Sequence, residues 1–182
     1  MARRNLVDID AKIIKAIITI GAKEGAKNVT AEKVAKLCGI SHFTCFKHFG
    51  TKLGMLKAAA ASFDRQYMDF MASLIKQGDS LRVVFTNMIE EFVKNSEGSL
   101  FYMSFISDYG FDPTEKNERS QEFLKYAKLF FKDEKMSDRD YLLYWDYITS
   151  MGFYYAEKII HGYLSNNIDT LNIVCKICLE KL

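Results

Sequence analysis

The chain has 182 residues, of which 49% are hydrophobic and 26% charged, with one Pro and ten Gly. This composition supports one well-buried core, or a small head domain with a larger body, and it argues against long flexible linkers. No apolar run approaches the roughly 18 residues of a membrane span, and the N-terminus has no apolar signal segment, so we expect a cytoplasmic protein.

The formal net charge of +2 hides a division along the chain. Residues 1–57 contain 11 Lys and Arg against 4 Asp and Glu, whereas residues 58–182 contain 14 against 19. A basic head on an acidic body is typical of a protein that places one end on a polyanion.

The first predicted helix begins near Asp8 or Asp10 and ends at Gly25. Its apolar side is formed by isoleucines at three- and four-residue spacing, namely Ile13, Ile14, Ile17 and Ile18. Arg3 and Arg4 would precede this helix on a short basic arm. Such an arm could reach phosphates or a minor groove, or it could be a terminus without function.

Two short helices joined by a glycine turn are predicted next. Thr30 can cap the first one, whose apolar face comprises Val34, Leu37 and Cys38. Gly39 supplies the left-handed residue that ends this helix. Ser41 can cap the second helix, in which Cys45 and Phe49 face the core. Two helices in this arrangement form a helix-turn-helix unit, whose second helix enters the DNA major groove.

Residues 10–57 resemble the DNA-binding domain of the TetR family of transcriptional regulators. The features that carry the resemblance are the helix end at Glu24-Gly25, the Thr30 cap, Val34-Ala35, Gly39-Ile40-Ser41, the run Phe46 to Phe49, Lys52 and Leu56. The sequence departs from the family pattern at Phe43, Cys45, Phe46 and Leu53. The resemblance implies a DNA-binding domain over residues 1–52 and a helical domain for ligand binding and dimerisation over residues 53–182.

A long fourth helix, capped by Thr51, is predicted to run to about Gln77. At 1.5 Å per residue it would be roughly 39 Å long. Such a helix is long enough to start in the head and end in the body, so we expect it to link the two mechanically. It could equally be a long core helix without that role.

The body reads as five further helices. Ser80 caps the first, which Gly98 is expected to end, and the others are placed at Leu100 to Tyr109, Thr114 to Lys132, Ser137 to Leu164 and Asp169 to Leu182. Ser137 and Asp140 have the spacing of a capping box. No strand pattern or repeat is present in the sequence. We therefore predict an all-α chain of about nine helices, with a three-helix head, a long connecting helix and a helical body.

DNA contacts are expected from two groups of residues in the head. The first group would hold phosphates, at helix starts or with basic side chains, and comprises Thr30, Lys47, His48 and Lys52; Phe46 would contribute only van der Waals contact with a sugar. The second would face base edges from the first turn of the recognition helix and comprises Ser41, His42, Phe43 and Thr44.

The body contains 22 of the 25 aromatic residues. By the resemblance, this region binds a small effector, and an aromatic interior suits an apolar or planar ligand. The candidate contacts are Phe63, Tyr67, Phe92, Tyr102, Phe105, Tyr126 and Trp145. An aromatic stripe at helical spacing is also what an ordinary core looks like.

Cys175 and Cys178 form a CxxC inside a predicted helix, where buried thiols are a better interpretation than a zinc or redox site. No phosphate loop, nucleophile elbow or paired-carboxylate motif is present, so no enzyme, cofactor or metal is expected. The resemblance implies a homodimeric transcriptional regulator, taken as a repressor, that is released from a palindromic operator by a small molecule and dimerises through its last two helices. The alternatives are a regulator whose body binds a protein partner, and a helical enzyme whose basic head binds a phosphorylated substrate.

Overall fold

The computed structural model describes residues 2–76, 78–110, 118–131 and 135–179, and of residues 2–8, 76 and 118 only the helical backbone. Within these ranges the chain forms nine α-helices, one 3-10 turn at Ala26–Asn28 and no strand. The helices are α1 (Ala2–Glu24), α2 (Ala31–Cys38), α3 (His42–Phe49), α4 (Lys52–Lys76), α5 (Leu81–Lys94), α6 (Ser96–Tyr109), α7 (Glu118–Phe130), α8 (Asp138–Ile160) and α9 (Ile168–Leu179). None of them has both the length and the apolar character that a membrane span requires. The all-α prediction is confirmed.

Helix packing divides the chain into two units. The first contains residues 1–67 and 96–110, and the second contains residues 68–95 and 111–182. The helix α4 therefore contributes to both, and α6 belongs to the first unit although it follows α5 in the chain. The functional boundary that we place at residue 52 stays a prediction.

The first unit is built around α1, which packs against α2 and α6. Ile13 and Ile17 of α1 are fully buried, as is Phe101 of α6. Gly21 allows the two helices to approach closely, because a Cβ built there would lie 2.5 Å from Cδ2 of Phe101. This close contact explains why position 21, among the isoleucines of α1, is a glycine.

The second unit is built around α8, which packs against α5, α7 and α9. Gly152 of α8 leaves room for Met88 of α5, whose Cε would be 2.5 Å from a Cβ at that position. Phe92 of α5 stacks on Phe153 of α8 with ring centroids 3.9 Å apart. Small and large side chains therefore alternate where these two helices meet.

Several predicted helix caps are confirmed. The hydroxyls of Thr30, Ser41, Ser80 and Ser137 each accept a hydrogen bond from the backbone N–H three residues later. Ser137 and Asp140 form a complete capping box, since the Asp140 carboxylate accepts from the Ser137 N–H at 2.9 Å. Short polar side chains before an apolar run were reliable signals in this chain.

Two predictions about the head are wrong. The helix α1 begins at Ala2, so the backbone of Arg3 and Arg4 is helical and does not form an extended arm. Leu37 does not belong to the apolar face of α2, because its side chain is 56% exposed. The buried residues of α2 are Ala31, Val34, Ala35 and Cys38. Their spacing of three and four defines a face from which Leu37 is rotated by about 110°.

Three predicted boundaries in the body are also wrong. Gly98 does not end α5; the helix ends at Lys94, Asn95 breaks it, and Gly98 is buried inside α6. The helix α8 ends at Ile160 and not at Leu164, because Gly162 adopts a left-handed φ of 74°. The helix α6 begins at Ser96 and not at Leu100. The start predicted for the next helix at Thr114, like the ends predicted at 132 and 182, lies outside the described residues.

Candidate nucleic-acid interface

The turn between α2 and α3 has the geometry that the glycine predicts. Gly39 adopts a left-handed conformation with φ 66° and ψ 37°. The N–H of Ile40 donates to the carbonyl of Ala35 at 3.0 Å, and the N–H of Gly39 donates to that of Lys36 at 3.4 Å. These bonds satisfy carbonyls at the end of α2 and redirect the chain within two residues.

Cys45 anchors α3 to α2. Its side chain is fully buried, and its thiol lies 3.9 Å from the carbonyl oxygen of Ala31. Burial raises the pKa of the Cys45 thiol, and the neighbouring Cys38 raises it further. The residue therefore acts as a small buried side chain, and the helix is fixed by its inner face.

The outer face of α3 carries four of the nine predicted DNA contacts. His42, Phe43, Phe46 and Lys47 are all exposed, and Phe43 is 70% exposed. Positions 42, 43, 46 and 47 fall within one side of a helix, roughly opposite the buried Cys45. Such exposure is unusual for two phenylalanines on an eight-residue helix and leaves both rings available to a partner.

The first turn of α3 is more constrained. Ser41 accepts a hydrogen bond from the Thr44 N–H at 3.2 Å, and its hydroxyl also lies 2.9 Å from that of Thr44. Thr44 is half-buried. Its methyl group and hydroxyl therefore have a defined orientation at the start of the recognition helix.

His48 has a position that the sequence did not indicate. Its side chain is only 9% exposed, and Nδ1 lies 2.5 Å from Oδ1 of Asp10 on α1. This bond ties the recognition helix to the supporting helix. A phosphate contact by His48, as predicted, would have to use Nε2 or follow the opening of this pair.

Lys52 also has a partner within the head. Its ammonium group donates to the carbonyl of Lys27 in the 3-10 turn at 2.5 Å. Thr51, before it, caps α4 by accepting from the Gly54 N–H at 2.9 Å. The predicted phosphate residues Thr30 and Lys52 thus lie at or next to the helix starts that the sequence assigns them.

Sequence reasoning missed the connection between α6 and the 3-10 turn. The Ser104 hydroxyl accepts a hydrogen bond from the Ala26 N–H at 2.8 Å, and the Asp108 carboxylate accepts from the Lys27 N–H at 3.1 Å. The bonds join residues 78 and 81 positions apart. No local pattern signals such a contact, although it fixes the segment that leads into the Thr30 cap.

Gly54 is a second residue whose role was missed. A Cβ built there would lie 2.1 Å from the carbonyl oxygen of Phe49, at the end of α3. The glycine therefore lets the start of α4 approach the end of the recognition helix. The one local signal for this close approach is a glycine in the first turn of a helix that is otherwise rich in good helix formers.

The predicted effector contacts are divided between the two units. The first unit contains four of them, Phe63, Tyr67, Tyr102 and Phe105, and the second contains Phe92, Tyr126 and Trp145. Phe63 stacks on Tyr102 with centroids 4.8 Å apart, and Tyr126 lies 6.0 Å from Trp145. All but Phe105 are buried.

The head thus has two short helices, a left-handed glycine turn and an outward-facing second helix, which together define a helix-turn-helix unit. A crystal structure of a TetR family transcription regulator from Marinobacter aquaeolei VT8 is similar to this chain, with a TM-score of 0.75 over 98% of this chain and 96% of that one, at 14% identity. A structure described as a TetR-family transcriptional regulator from Rhodococcus sp. has a TM-score of 0.66 over 92% of this chain and 95% of that one, at 15% identity. The chain therefore has the fold of TetR-family regulators. No protein-family model and no curated protein matches the sequence significantly.

Proposed function

We propose that this protein is a sequence-specific DNA-binding transcriptional regulator of the TetR family. The observation that carries the proposal is the recognition helix α3, which buries Cys45 and exposes His42, Phe43, Phe46 and Lys47. An outer face with cationic and apolar groups suits DNA, because lysine binds phosphates and a phenylalanine ring contacts a thymine methyl group. The net charge of +7 over residues 1–57 supports the same partner.

The proposed active form is a homodimer. One recognition helix reads only a few base pairs, so useful specificity needs two heads on half-sites about 34 Å apart. Exposed apolar residues on α8 and α9 support this state. They are Leu143, Tyr144, Tyr147, Tyr154, Ile168, Ile173 and Ile177. Exposed apolar residues on successive turns of two helices are typical of an interface.

In the proposed mechanism, a small effector favours a body geometry in which the two heads no longer match the half-sites. The helix α4 passes from the first unit to the second, and α6 holds the 3-10 turn through Ser104 and Asp108. Both are elements through which a shift could reach the head. The regulator would then act as a repressor in the cytoplasm, released when the effector binds.

Selection of bound duplexes from a random pool tests the proposal. Enrichment of one inverted repeat, with affinity that falls steeply as salt is added, is the expected result. A bound sequence without two-fold symmetry would contradict the dimeric reading. Absence of any enrichment, together with salt-insensitive binding, would contradict DNA recognition.

A further inference from the structure

Phe43 places a large apolar surface in solvent at the start of the recognition helix. It is the second residue of α3, and it is 70% exposed, against 37% for Phe46 on the same face. Exposure by itself does not assign a role to the ring, since single exposed apolar side chains are common on protein surfaces. Its position on the helix does, together with the state of the polar groups beside it.

The position of Phe43 on α3 directs its ring toward the bases. Side chains on a helix point back toward the N-terminus, so the ring of the second residue extends over the helix start. In a helix-turn-helix unit, the N-terminal residues of the second helix are the ones that reach the base edges. Phe46 begins about 4.5 Å further along the axis, and Lys47 is one turn beyond Phe43. These two residues suit sugar and phosphate, whereas Phe43 suits the floor of the groove.

The hydroxyl groups of the same turn have a limited capacity to read bases. The Ser41 hydroxyl accepts a hydrogen bond from the Thr44 N–H at 3.2 Å and lies 2.9 Å from the Thr44 hydroxyl. One of the two hydroxyl hydrogens is therefore shared between these oxygens, and the Ser41 oxygen also caps α3. At most one hydroxyl hydrogen remains for a base, and a base that took the place of Thr44 would break the cap.

We propose that Phe43 is the principal specificity determinant of α3 and that it packs on the C5-methyl group of a thymine in each half-site. The thymine methyl is the only methyl group that the base pairs present in the major groove. Against another base, the ring would separate polar edge atoms from water without offering them a hydrogen bond, which is unfavourable. The inference rests on the proposed function, because it assigns a base to a head that binds DNA.

Replacing thymine with uracil tests this contact, because deoxyuridine lacks the C5-methyl group and keeps every hydrogen-bonding group of thymine. In the duplex enriched from the random pool, each thymine is replaced in turn, in both half-sites together, and the affinity of the full-length protein is measured by fluorescence anisotropy. We expect one position at which the loss is about fourfold per half-site, and so roughly 15-fold in total, as for one methyl group removed from apolar contact. At that position, a 5-methylcytosine–guanine pair should bind more tightly than a cytosine–guanine pair by a similar factor.

Protein variants assign the methyl contact to one residue. Phe43→Ala should weaken binding and make the thymine and uracil duplexes equal in affinity. Phe46→Ala is the matched control, because it removes the other exposed phenylalanine of α3 and should keep the uracil penalty at that position. Circular dichroism checks that both variants fold, which the loss of an exposed ring should permit. Phe43→Leu keeps an apolar side chain and should show a smaller penalty than wild type, so it serves if the alanine variant does not fold.

The outcomes separate this inference from the proposed function. An enriched inverted repeat in which no thymine is sensitive to the loss of its methyl group would overturn the inference and leave the proposed function standing. A penalty that Phe43→Ala leaves unchanged, or that Phe46→Ala abolishes, would overturn the assignment to Phe43 with the same consequence. If no duplex is enriched and binding is insensitive to salt, the proposed function fails and this inference fails with it.

Discussion

Replacing Gly54 with alanine tests how the recognition helix is held. The added Cβ would lie 2.1 Å from the Phe49 carbonyl oxygen, far inside ordinary contact. Overpacking typically costs about 1–3 kcal/mol, and the upper end applies because backbone, and not a flexible side chain, must move. The alanine recovers about 1 kcal/mol through its higher helix propensity. We therefore expect Gly54→Ala to lower the free energy of unfolding by about 2 kcal/mol.

Urea denaturation followed by circular dichroism measures this change, and fluorescence anisotropy with an enriched duplex measures DNA binding. Ala61→Gly is the matched control, because it reports the helix-propensity term at an exposed position of the same helix α4. DNA affinity should fall in Gly54→Ala beyond any effect in the control, since the clash displaces the end of α3. A variant as stable as wild type, or more stable, would refute the close approach inferred here.

Four further changes test the head and the body. Lys47→Ala should weaken binding to every duplex and reduce the salt slope by about 1, whereas Thr44→Ala should mainly relax base preference, by about 1 kcal/mol at one position; anisotropy over a salt series measures both. Ile173→Glu places a charge on the proposed dimer surface, so the dissociation constant of the dimer should rise at least about tenfold in sedimentation experiments. Asp146→Asn removes a carboxyl whose pKa burial raises. In the wild type, the stability that this group contributes is present below the ordinary pKa of 3.8 and is lost as pH rises through the raised value. The free energy of unfolding of Asp146→Asn, measured relative to wild type by urea denaturation, should therefore rise between pH 3 and pH 7.

The changes at Lys47, Ile173 and Asp146 each have a control of the same chemistry elsewhere. Lys176→Ala removes an exposed lysine outside the head and should leave the salt slope unchanged. Leu129→Glu alters an exposed leucine of α7 and should leave the dimer intact. Asp169→Asn repeats the amide change at an exposed site of α9. If a control changes the measured quantity as much as its test variant does, the argument from the DNA-binding surface, the dimer surface or the burial of Asp146 fails for that pair.

Local signals predicted the elements that depend on local chemistry. Thr30, Ser41 and Ser137 cap helices because a short side-chain oxygen reaches the N–H three residues ahead, which only nearby residues decide. Gly39 ends α2 because a left-handed conformation costs a glycine little. The same reasoning failed for Gly98, because it has no positive φ and lies buried inside α6.

The sequence by itself determined that this chain is helical, that its basic end contains a helix-turn-helix unit, and which residues face outward from the recognition helix. Only the tertiary structure decided what holds that unit. Asp10 bonds to His48, and Ser104 and Asp108 bind the turn before α2, across separations of 38 to 81 residues. Capping and periodicity arise between neighbours along the chain and can be read from order alone. Contacts between distant residues depend on which helices pack together, and no local pattern encodes that choice.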